Sequence, residues 1–156
     1  MRIPMLQHEA AERIEYEVKE QAKKAKRREA SKGADDVRVE VKVMIESGDW
    51  TGASPRHLVA LYELMHALVY EVVPTMTNRE RSIAVAQAGG QVRYQFDGDI
   101  AQAIEFVRWA WQREAEREEW RRRSGRQGGR LDWRRLFSSS GVLTDYRVEL
   151  ARKAGA

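Results

Sequence analysis

The feature that most constrains this chain is an apolar stretch closed off by two prolines, HLVALYELMHALVYEVV at residues 57–73. Ser54 followed by Pro55 supplies an N-cap and a proline at the first helical position, where the missing N–H costs nothing. Leu58, Leu61, Tyr62, Met65, Leu68, Val69 and Val72 then recur at helical spacing on one broad face, and Pro74 ends the pattern. So wide a stripe must be surrounded, so this is the expected central core helix. Glu63 and His66 interrupt the run, and no stretch of about 18 apolar residues exists, so no membrane-spanning helix is expected. The first residues lack the apolar run of a signal peptide, which points to a soluble, cytoplasmic protein.

Other helix boundaries follow from local chemistry. TNRE at residues 77–80 is a capping box, and Gly89-Gly90 is expected to close the helix it opens. Asp97, Gly98 and Asp99 read as a helix stop and a new start, and Asp132 and Thr144 as caps of two short C-terminal helices. VRVEVKV at residues 37–43 alternates like a strand, yet Val37, Val41, Met44 and Ile45 also share one helical face. QVRYQF at residues 91–96 is similarly double. A two-stranded ribbon alone is marginal, so helix is preferred for both, with a short β element as the alternative. The expectation is an all-α bundle of about five to six helices with a basic C-terminal extension. It divides into a loosely anchored N-terminal helix (1–34), a helical core (35–119) and an arginine-rich segment (120–156).

Charge is unevenly spread along 156 residues whose formal net charge is +4. Basic residues crowd into residues 19–32 and 106–156 and flank a more acidic, more apolar middle. That asymmetry points to an anionic partner. In the first block, Lys23, Lys24, Lys26, Arg27 and Arg28 sit on a helix whose apolar stripe is thin.

The second block contains FVRWAWQREAEREEWRRR at residues 106–123. At about 100° per residue, Ile104, Val107, Trp111 and Ala115 align with Ile100 as a core stripe. Glu114 and Glu118 continue that stripe, so the helix is expected to leave the core after about Ala115. Phe106, Trp109 and Trp120 lie on the opposite side and form a candidate protein interface, unless another element covers them. Glu118 with Arg122 and Glu119 with Arg123 are well-oriented i,i+4 pairs.

Residues 120–135, WRRRSGRQGGRLDWRR, combine arginines, tryptophans and glycines with a single acidic residue. Arginine binds phosphate bidentately, tryptophan offers a stacking face, and glycine lets backbone approach closely. The candidate nucleic-acid-binding set is Trp120, Arg121, Arg122, Arg123, Arg126, Arg130, Trp133, Arg134 and Arg135, with the N-terminal basic residues.

Catalytic signals are thin. The chain has no cysteine, which excludes disulfides and thiolate chemistry. Glu40-x-Lys42 has the form of a nuclease pair but lacks the separate acidic residue such sites need. His57 and His66 read as surface or boundary residues, the serines of SSSG at residues 138–141 as a linker. Residues 78–96 match a helix-turn-helix only weakly. The expectation is a non-enzymatic accessory protein that binds DNA or RNA and requires no cofactor or metal. The alternative is a helical interaction or structural subunit that meets a protein partner or a second copy through Phe106, Trp109 and Trp120.

Overall fold

The structure, a computed structural model, describes residues 3–31, 33–126 and 128–155, with the backbone alone for 3–8 and 25–31. Among the described residues it contains seven helices and no strand: α1 Ile3–Ser31, α2 Ala34–Ser47, α3 Pro55–Tyr70, α4 Asn78–Gln95, α5 Ile100–Ser124, α6 Trp133–Phe137 and α7 Ser140–Ala154. Both ambiguous segments are helical, and the β element does not form.

Two units can be distinguished, Met1–Asp36 and Val37–Ala156. In the first, α1 exposes nearly every described side chain, Ile14, Tyr16 and Val18 among them. In the second, α3 packs against α4 and α5, α4 also contacts α6, and α7 lies against α5 and α6. The core extends into the C-terminal residues: Leu131, Trp133, Leu136, Phe137, Leu143 and Tyr146 join Leu58, Leu61, Ile104, Phe106 and Trp111 in one cluster.

The caps act locally. Ser54 and His57 close a capping box at α3, Thr77 and Glu80 another at α4, and Asp99 and Asp132 accept amide hydrogens at α5 and α6. Asp97 and Gly98 have positive φ and make the sharp turn between α4 and α5. Several expectations fail. Gly89-Gly90 does not end α4; a Cβ on Gly89 would lie 3.4 Å from the Pro55 ring, so the small residue serves close helix packing. With α4 unbroken there, the helix-turn-helix does not form. Thr144 is interior to α7, which starts one turn earlier on Ser139, and this makes SSSG a helix junction and not a linker. The apolar face of α3 is also shorter than its stripe: Leu68, inside the helix, is 75% exposed, and Val72 is exposed beyond its end, since α3 stops at Tyr70 with Glu71 left-handed.

Buried polar residues tie the elements together. Glu63, 1% exposed at the centre of α3, is bonded by Arg38 of α2 and by both terminal nitrogens of Arg81 of α4. His57 is buried, where the sequence reads it as a surface or boundary residue. Its Nδ1 accepts from the Ser54 amide at 2.9 Å, which leaves the proton on Nε2 to be donated to Glu40 at 2.8 Å. Trp111 is fully buried against the rings of Tyr62, His66 and Tyr70, 5.5–5.9 Å away.

The buried phenols give a pH signature. Burial, reinforced by the Asp132 charge, pushes Tyr62 up to about 12. Burial and donation to Glu114 push Tyr70 higher, and burial raises Tyr146. A raised pKa means the stability these phenols contribute is complete below their unfolded value near 10 and is lost as pH climbs through the folded value. Helix content followed by circular dichroism should therefore hold up to about pH 10 and collapse over the next two units. Phenolate absorbance at these tyrosines should rise with the collapse; phenolate appearing well before loss of helix would contradict the packing.

Candidate nucleic-acid interface

The arginine-rich segment begins as the last turns of α5, and its first task is structural. Glu114 falls on the buried face of α5, where the apolar stripe predicts that the helix leaves the core. Instead, the core continues as a polar seam. Tyr70 at the end of α3 donates its hydroxyl hydrogen to Glu114 Oε1 at 2.6 Å, and Arg121 donates to the same oxygen at 2.9 Å. Arg121 also bonds Glu118 at 2.9 Å and the Gly129 carbonyl at 3.0 Å. Glu114 and Glu118 hold the Arg121 guanidinium above its ordinary range, so it is firmly charged. Tyr70 completes the seam by accepting the Leu131 amide at 2.7 Å.

Residues 128–131 are thus strapped over α5 from below. A Cβ on Gly128 would stand 3.0 Å from Arg121 Nε, so this glycine admits a guanidinium and not a phosphate. Gly125, left-handed at φ +67°, is the α5 C-cap that turns the chain into the strap. Arg121 is therefore removed from the phosphate-binding set: its donors are committed inside the protein. Trp133 leaves the set too, since its ring is buried in the core with Arg134 4.6 Å above its outer face.

The proposed protein-interface face is largely covered by α7. Phe106 is fully buried between Phe96 and Tyr146, with ring centroids 5.8 and 5.3 Å away. Trp109 is half-buried against Tyr146 at 5.2 Å, with Arg113 on its other side. Only Trp120 remains outward, 54% exposed, and among the described residues its ring contact is the Arg126 guanidinium at 5.5 Å.

The remaining arginines divide by what they touch. Arg122 is spread over the Val69 carbonyl, Glu71 and Glu118, and Arg123 pairs with Glu119 as its spacing predicts. Arg126, Arg130, Arg134 and Arg135 are exposed and, among the described residues, have no carboxylate partner; neither has Arg117, which the sequence reading missed. Two clefts flank the strap. One, about 480 Å³, is lined by Glu118, Arg121, Arg122, Arg126 and Arg130. The other, about 270 Å³, is lined by Arg113, Glu114, Arg117, Arg135 and Asp145, among others. Arg113 there is tied to Asp145 at 2.8 Å. Arg135 reaches the strap itself, its Nη1 3.7 Å from where a Cβ on Gly129 would stand.

In the other unit, Lys23 is exposed near Glu20 at 3.6 Å and Lys24 is exposed; the side chains of Lys26, Arg27 and Arg28 lie outside those described. Among the described residues no group of histidines and carboxylates could hold a metal, and no helix is long and apolar enough to cross a membrane. Compared with protein-family models, curated proteins and solved structures, the chain matches none.

Proposed function

We propose that the protein is a non-enzymatic nucleic-acid-binding accessory protein whose contact surface is the strap and its two flanks. The observation that supports this best is the set of five exposed arginines, Arg117, Arg126, Arg130, Arg134 and Arg135, that have no carboxylate partner among the described residues, four of them lining the clefts beside the strap. A protein gains nothing in folding from like charges gathered on its surface. Planar guanidinium groups with free donors suit phosphate oxygens, and Trp120 adds a stacking face beside them. Binding is driven mainly by phosphate neutralisation, with little readout of base sequence. The rival reading, a protein-docking subunit, loses most of its surface once α7 covers Phe106 and Trp109.

Titration of a labelled oligonucleotide at several salt concentrations tests the proposal. If three to four of these arginines meet phosphates, log affinity should fall against log salt with a slope of roughly −2 to −4. Absence of binding at about 50 mM salt, or affinity indifferent to salt, would refute it.

A further inference from the structure

We infer that the nucleic acid this surface accepts is single-stranded, with a base stacked on Trp120 and the neighbouring phosphates drawn into the clefts beside the strap. The inference rests on the nucleic-acid reading and adds strand number to it. Trp120 is the first ground. Its indole is more than half exposed, and among the described residues its ring contact is the guanidinium of Arg126. Leaving so large an apolar ring in water forgoes burial worth a substantial part of a side chain's transfer free energy. A duplex touched through its backbone keeps its bases stacked inside and offers the indole no partner. An unpaired base presents a π-face of matching size and chemistry.

The second ground is shape. Four of the five unpartnered arginines line concave features beside a strap held by Tyr70 and Arg121. Arg126 and Arg130 line one cleft; Arg117 and Arg135 line the other. A flexible single strand can turn into such hollows, whereas the phosphates of a stiff duplex follow a convex rod. The third ground is that neither α4 nor the last turn of α5 is equipped to enter a major groove. The arginines in the last turn of α5 are occupied, Arg121 by Glu114, Arg122 by Glu118 and Arg123 by Glu119. The unbroken α4 supplies no recognition helix.

Fluorescence anisotropy of the full chain with a labelled oligothymidylate of about 16 nucleotides, and with a duplex of the same length, distinguishes the possibilities. The wild type should bind the single strand at least about tenfold more tightly. Trp120→Ala should weaken single-strand binding by about 5- to 150-fold, the worth of one base–aromatic stack, and collapse the preference. Trp120→Phe, which keeps a stacking ring, should restore most of it. Equal or tighter binding of the duplex overturns the single-strand inference while leaving the nucleic-acid reading intact, as does unchanged single-strand affinity in Trp120→Ala. Failure to bind either probe overturns both. Because Trp120 is outward on its helix, thermal melts of both variants should match the wild type, which assigns any lost affinity to the stack.

Discussion

Replacing Glu63 with alanine should destabilise the Val37–Ala156 unit by about 3–5 kcal/mol. The carboxylate is wholly inside the protein and is the shared partner of two guanidinium groups that are themselves mostly covered. Its removal takes from both guanidinium groups the buried carboxylate they share. At the scale of this unit, the melting temperature should fall by roughly 10–15 °C. Replacing all three of Arg38, Glu63 and Arg81 by leucine or methionine should cost far less, because a buried ionic cluster repays its own desolvation poorly when compared with apolar packing. Urea denaturation of the single and triple variants measures both quantities. A Glu63→Ala variant within about 1 kcal/mol of wild type would mean that the arginines find water and that the cluster does not tie α2, α3 and α4 together.

Tyr70→Phe is the second large effect, about 2–4 kcal/mol. The hydroxyl serves two buried partners at once, donating to Glu114 and accepting from the Leu131 amide. Phenylalanine fills nearly the same volume, so the loss comes from two polar groups left short of a partner. Leu131 is the point where the strap enters the core, and the change should therefore act on the surface as well as on stability. Amide exchange at Leu131 should quicken well beyond the global destabilisation. Equal protection at Leu131 in the two proteins would show that Arg121 alone holds the strap.

These two residues mark the limit of what the sequence discloses. Ser54, Thr77, Asp99 and Asp132 start helices through contacts within three residues, so their signals are local and the helices follow. Gly89-Gly90 misleads because its purpose, close approach to Pro55, is tertiary. Glu63 and Glu114 look like solvent-facing interruptions of apolar stripes. Their partners come from other elements: Arg38 and Arg81 are 25 and 18 residues from Glu63, and Tyr70 is 44 from Glu114. No periodicity carries that information. The two-faced character of α5 is legible, but α7 as the cover of Phe106 is not. The arginine density of residues 120–135 is plain, whereas its division into committed and unpartnered groups depends on the seam beneath the strap. Arg117 escapes notice because it lies among glutamates on α5 and becomes a cleft residue only when Arg135 folds back beside it.

The unpartnered arginines are the core of the account, and reversing them is its most direct test. In the salt-dependent oligonucleotide titration, Arg126→Glu/Arg130→Glu should leave the melting temperature close to wild type, since among the described residues neither side chain has an ion pair to lose and each gives up only a guanidinium–ring contact, with Trp120 and Tyr70 respectively. It should weaken binding by at least tenfold at about 100 mM salt and flatten the salt slope by roughly 1.5, two phosphate contacts on a single strand. Wild-type affinity and slope in the reversed protein would contradict the account.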